Sequence, residues 1–146
     1  MPFSTTYANS VLNLMMGRTA SLTGHKMVYL GLCTNDPEAD AGVFNELSGN
    51  AYGRVLLHEY NMDHPDLMNA ASARGITNKK QIGFTKASPS AWPTAKGYGL
   101  FTAETGGTPF FYAKLREPVD TPAGAVFLFD PGELKIDFQT TDVDIT

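Results

Sequence analysis

The apolar residues of this 146-residue chain follow one helical period near the start and short alternating or continuous runs thereafter. Tyr7, Val11 and Met15 repeat at i, i+4, and Ala8, Leu12 and Met16 form the neighbouring row. That spacing predicts a helix over about residues 6–16, capped by Thr5 or Thr6 and ended by Gly17. Its broad, Met-rich stripe must pack on the chain's own sheet or on a neighbouring copy.

After a polar link, residues 26–34 read as a buried strand with apolar residues on both faces, ended by Asn35-Asp36-Pro37. Asn and Asp favour that turn by bonding nearby backbone, and Pro fixes its own φ. Residues 36–50 form a long loop of acids and small residues, and 52–60, YGRVLLHEY, resume a strand pattern. The segment 63–75, DHPDLMNAASARG, fits one or two helical turns somewhat better than a projecting loop.

From residue 80 onward the pattern is nearly all β. Residues 81–85 make a short strand, and 88–93 a Pro-containing turn around Trp92. Runs at 98–103 and 109–116 flank Glu104-Thr-Gly-Gly107, where two glycines supply positive φ without a Cβ clash, so the runs fold back as an antiparallel hairpin. Pro122-Ala-Gly124 turns the chain into a strand at 125–129; then Leu134, Ile136 and Phe138 alternate with Lys135, Asp137 and Gln139. These runs predict a mainly β fold, an antiparallel β-sandwich of jelly-roll type with a short N-terminal helix, built as one domain over residues 1–146. The acidic tail, 141–146, is expected to fray unless a partner holds it.

Composition narrows the partners. A 42% apolar content suffices to bury a core without metals or disulfides. A net charge of −4 with scattered Lys and Arg argues against nucleic acid, even allowing a cluster of Lys79, Lys80, Lys86 and Lys96. The single cysteine, Cys33, lies in an apolar run and reads as a small buried hydrophobe. No stretch approaches the roughly 20 apolar residues of a membrane span, and no secretory signal opens the chain, so it is expected to be soluble and made in the cytosol, with no membrane partner.

Candidate chemistry is sparse. None of His25, His58 and His64 sits in a metal-ligand spacing, and His58 and His64 meeting across a loop is the residual metal reading. Asp36, Glu38, Asp40 and Glu46 lack the ligand order of a calcium loop and read as a hydrated acidic loop. No nucleophile elbow or phosphate loop is present, so no catalytic residue, cofactor or metal is assigned and the protein is expected not to be an enzyme. The aromatics that crowd the C-terminal half suit core packing, recognition of carbohydrate or protein by exposed rings, or a subunit interface. Trp92 and Tyr98 are therefore candidates for contact or core. In Phe110-Phe111-Tyr112, successive rings point to opposite faces, so both faces need cover, from a sheet partner on one side and a loop, the N-terminal helix or another subunit on the other. Long polar loops are where recognition sites lie, which makes Asp36, Glu38, Asp40, Glu46, His64 and Arg74 candidate partner contacts.

One ordered set of residues resembles a known family. Tyr29-Leu-Gly-Leu32, Asp36-Pro37, Glu46, Tyr52-Gly-Arg54, Ile82-Gly-Phe84, Trp92, Gly99-Leu-Phe101, Ala103, Thr105-Gly-Gly107, Tyr112, Leu115, Pro118-Val119, Gly124 and Gly132-x-Leu134-x-Ile136 follow the order seen in small tailed-phage virion proteins, often labelled phage tail fibre proteins. The chain departs from that pattern at Thr102, where an acid is common, and by the polar insertion 61–80. The resemblance implies a non-enzymatic structural protein of the virion, at the tail, baseplate or fibre, with no catalytic residues to carry over. The partners it implies are further copies of the chain, a trimer suiting cyclic symmetry, and other virion proteins. A capsid decoration (cement) protein on the head surface and a carbohydrate-binding module that recognises a host glycan are the alternatives.

Overall fold

Ten residues at the heart of the chain, WPTAKGYGLF, alternate large side chains with glycine and form the strand on which the fold is built. The computed structural model describes residues 3–18, 27–59, 67–72 and 75–137. In chain order the elements are α1 (Thr5–Met15), β1 (Met27–Cys33), β2 (Val55–Glu59), β3 (Gly75–Thr77), β4 (Ile82–Gly83), β5 (Trp92–Phe101), β6 (Phe111–Thr121), β7 (Leu128–Phe129) and β8 (Lys135–Asp137). The fold is mainly β, with antiparallel sheets and one short N-terminal helix, as the patterning implies. A four-stranded sheet runs in the order β2-β1-β5-β6, and two short ladders pair β3 with β8 and β4 with β7.

Register divides the large sheet into two unlike faces. Leu30 lies opposite Leu100 and Leu32 opposite Tyr98, while Gly31 faces Gly99 and Cys33 faces Gly97. Residues directly opposite share a face, so one side of β1 and β5 carries Leu30, Leu32, Tyr98 and Leu100, and the other Gly31, Cys33, Gly97 and Gly99, with Tyr29 and Phe101 at its end. The bulky side meets the short ladders. The Tyr98 ring stands 6.0 Å from Phe129, which is 5.2 Å from Phe127, itself 5.6 Å from Phe84. With Leu134 and Ile82 these residues form one buried cluster.

The expected hairpin is β5–β6, and Gly106 and Gly107 do adopt positive φ, +72° and +73°. Both strands are longer than patterning suggests, because the prolines fall where the ladder is irregular. Pro93 lies in the register shift between Trp92 and Ala95, and Pro118 in the extra length of β6 between Lys114 and Val119. The expected turn around Trp92 is thus the start of β5. Phe110 and Tyr112 are half-buried and Phe111 fully buried. Phe111 is covered by Tyr98 and by Phe3 at the foot of α1, whereas Tyr112 packs beside Gly42 of the loop after β1.

Other boundaries moved as well: β4 covers only Ile82–Gly83 of the expected 81–85, and β7 only Leu128–Phe129 of the expected 125–129. The helix is capped by Ser4, not Thr5 or Thr6; its side chain accepts the Tyr7 N–H at 3.2 Å. The strand expected from residue 52 begins at Val55, since Tyr52 and Arg54 are engaged elsewhere. Of the segment 63–75, the described part 67–72 is not helical and forms single bridges, Met68 to Asn78 and Ser72 to Gly75. Phe138 and the acidic tail lie outside the described residues.

Candidate functional site

The long loop after β1 approaches closely the face of the sheet that carries Gly31, Gly97 and Gly99, because these three positions have no side chain to hold it off. A Cβ on Gly97 would stand 2.5 Å from Pro37 Cδ, one on Gly99 2.8 Å from the Phe44 ring, and one on Gly31 2.8 Å from Glu46 Oε2. Glycine in a strand interior weakens it locally but permits such an approach. Asn35 ties the loop base, donating to Asp40 Oδ2 at 2.8 Å and to the Val43 carbonyl at 2.7 Å.

Glu46 then anchors a clamp. Arg54 donates from Nε to Glu46 Oε2 and from Nη2 to Oε1, both at 2.8 Å, the bidentate geometry that makes an Arg–carboxylate pair strong. The pair is largely withdrawn from water, with side-chain exposures of 3% and 26%. Arg54 Nη1 also donates to the Ala103 and Gly106 carbonyls at 2.8 and 2.9 Å, and the guanidinium carbon sits 3.4 Å from the centroid of the Phe101 ring. Tyr52 donates its hydroxyl to Glu46 Oε2 at 2.8 Å while accepting the Leu32 N–H at 2.9 Å, and burial pushes its pKa well above the usual phenol range. The guanidinium thereby joins the loop to the end of β5 and the turn of the β5–β6 hairpin, and the Tyr52 hydroxyl ties Glu46 to β1.

The remaining candidate residues are held by short-range structure or by the core. Asp36 Oδ1 accepts the Glu38 and Ala39 N–H groups, Asp40 accepts from Asn35, and Glu38 Oε2 accepts the Lys114 N–H from β6. Asp36, Glu38 and Asp40 therefore line one loop, while Glu46 sits apart in the clamp. His64 and Arg74, like His25, lie outside the described residues, and His58 is exposed on β2. Trp92 and Tyr98 are only 4% and 8% exposed. The Trp92 indole donates to the Asn50 carbonyl at 2.8 Å and packs edge-on against Tyr52; Tyr98 donates its hydroxyl to the Lys135 carbonyl at 2.7 Å. Both rings are therefore mainly core residues, with Tyr98 also contributing to the lining of the groove beside β6.

Two open surfaces stand out among the described residues. A groove of about 830 Å³ runs between β6 and the segment carrying β7 and β8, with Phe111, Phe127 and Phe129 in its floor and Lys114, Arg116 and Glu133 among its lining. The second is the outer side of α1, where Leu12, Met15 and Met16 are exposed. Cys33 is fully buried, and desolvation pushes its thiol up to about 12, far from a reactive thiolate. Among the described residues no cluster of His, Cys, Asp and Glu has the geometry of a metal site, and no helix is long and apolar enough to cross a membrane.

Sequence patterning missed the clamp. Its one legible signal was an arginine between Gly53 and Val55 in an otherwise apolar run, a position that demands a partner. Asn78 was missed as well: at 1% exposure it donates to the Lys80 and Asp130 carbonyls and accepts the Leu134 N–H.

No curated protein matches the chain. A family model described as Podophage GP4 fiber I protein gp80 matches residues 2–137. Glu46, Tyr52, Arg54, Phe101 and the Thr105-Gly-Gly107 turn, which carry the resemblance to phage fibre proteins, meet in the clamp and the hairpin turn it secures. With nearly the whole chain matched, the protein belongs to the Podophage GP4 fiber I protein gp80 family of phage fibre proteins.

Proposed function

We propose that the protein is a non-enzymatic structural component of a tailed-phage virion, working as a homo-oligomer at the tail, baseplate or fibre and docked on other virion proteins. The observation that carries this reading is the clamp. The polar motif residues Glu46, Tyr52 and Arg54 satisfy one another and nearby carbonyls, which gives them a scaffolding role and leaves them no free group for chemistry. Membership of a fibre family supports the virion as the destination. A net charge of −4 supports leaving nucleic acid out of the partner set.

Immunogold labelling of intact particles, combined with sedimentation of the purified protein, tests the proposal. Label on the tail or fibres and a sedimenting oligomer are expected. Label confined to the head would replace it with capsid decoration, and particles without label would remove the virion role. Turnover of peptidoglycan or capsule by the purified protein would overturn the non-enzymatic assignment.

A further inference from the structure

Gly49, Asn50 and Ala51 follow one another in the left-handed region, at φ +75°, +51° and +65°. Glycine enters that region freely and asparagine visits it, whereas an alanine Cβ there crowds the following carbonyl oxygen. Such strain persists only where the surrounding structure over-determines it, and it gathers where the strained segment positions something else.

The turn is held from one side. The Asn50 carbonyl accepts the Trp92 indole N–H at 2.8 Å and the Ser88 N–H at 3.1 Å, the Asn50 side-chain amide donates to the Ala91 carbonyl at 3.3 Å, and the Ala51 carbonyl accepts the Thr85 hydroxyl. All four partners lie on the connection from β4 to β5 or at the first residue of β5. Along the chain, the turn separates the two halves of the clamp. Glu46 precedes it by three residues and Tyr52 follows at once, its N–H closing the turn on the Gly49 carbonyl at 3.0 Å. The Tyr52 hydroxyl and the Arg54 guanidinium both meet Glu46 Oε2, which requires the chain to double back between them. Beyond the clamp lies the tip of the β5–β6 hairpin, residues 102–108, all of them exposed, with Arg54 Nη1 on the Ala103 and Gly106 carbonyls.

We infer that Gly49-Asn50-Ala51 is a strained latch. The bonds from Trp92, Ser88 and Thr85 hold it in the left-handed region, and its closure sets Glu46 against Tyr52 and Arg54 and so fixes the exposed hairpin tip. Cutting those bonds lets the turn relax, and the clamp and the tip loosen together while the β1–β5 ladder stays formed, a local opening and not a global one. The latch belongs to the single chain and is independent of the place of that chain in a virion.

Nuclear magnetic resonance of the full chain tests it, with wild type, Thr85→Val, Trp92→Phe, Ala51→Gly and the pairs Thr85→Val/Ala51→Gly and Trp92→Phe/Ala51→Gly. The readouts are solvent exchange of the Arg54 Nε–H, which reports the clamp, and of the ladder amides of β1 and β5, which report the core. Thr85→Val and Trp92→Phe each remove one hydrogen bond to the turn and are expected to speed Arg54 Nε–H exchange about tenfold, with the ladder amides still protected. Ala51→Gly, which removes the crowded Cβ, is expected to bring both pairs back toward the wild-type rate. Should Trp92→Phe fail to fold, the exposed Thr85→Val and its pair decide the matter alone. Arg54 Nε–H exchange that is unchanged by the latch variants, rises only together with that of the ladder amides, or is not restored by Ala51→Gly overturns the latch.

Discussion

At the scale of single residues, the stability of the loop turns on one buried ion pair. Removing Arg54 leaves the half-buried Glu46 carboxylate with the Tyr52 hydroxyl but without its ion partner, so Arg54→Ala is expected to destabilise the fold by about 3 kcal/mol in denaturant titrations. The Glu46→Ala/Arg54→Ala double variant is expected to cost less than the sum of the single changes, because it strands neither charge. Arg54→Lys falls between wild type and Arg54→Ala, as an ammonium cannot bridge a carboxylate bidentately and reach two carbonyls. Cys33 makes a pH prediction. Its folded pKa, about 12, lies above the unfolded value of 9.0, so the folded state keeps a proton that the unfolded chain releases. The stabilisation is fully present below pH 9 and is lost as pH rises toward 12; Tyr52, also pushed up, acts in the same sense. Unfolding midpoints of wild type should therefore fall more steeply over this alkaline window than those of Cys33→Ala, and thiol labelling at pH 7 should require prior unfolding.

At the scale of elements, the fold depends on how a loop meets a strand and on how two ladders are tied together. Gly97→Ala would drive a methyl group into Pro37, Cys33 Sγ and the Ala113 carbonyl, and is expected to cost about 1–3 kcal/mol with faster hydrogen exchange at Leu47, whose N–H bonds the Leu32 carbonyl. Asn78→Ala removes three side-chain hydrogen bonds that join the approach to β4 with the turn between β7 and β8, and about 2–3 kcal/mol of stability should be lost in the same titrations. The elements themselves were largely legible. The β5–β6 hairpin announces itself through two apolar runs and two glycines, and α1 through its i, i+4 rows. The start of β2 was misread because Tyr52 and Arg54 alternate with Gly53 as a strand would, while their side chains answer to Glu46 and not to a ladder. Glycines 97 and 99 read as weak points of a strand; what they admit was invisible without the loop that lies on them.

For the whole molecule, one buried cluster takes in residues from the large sheet and from the β4–β7 ladder, with Ile136 of β8 packed against it. Trp92, the only tryptophan, lies within it. Its fluorescence and the far-ultraviolet dichroism are therefore expected to follow a single coincident unfolding transition; separated transitions would divide the chain into independent units. The amino-acid sequence by itself determined that this protein is antiparallel β with one amphipathic N-terminal helix, and that its motif order is that of phage fibre proteins. The fold class and the helix follow from alternation, helical period and turn chemistry, which act over a few neighbouring residues, whereas the motif order speaks only through its resemblance to a known family. Only the tertiary structure decided that the loop seals a glycine face, that Arg54 binds the hairpin turn as well as Glu46, that Trp92 and Tyr98 are mainly core residues, and that Leu12 and Met15 of α1 stand exposed. Each of these depends on register and packing between segments far apart in the chain, and no local pattern encodes which distant surfaces meet or which are left open.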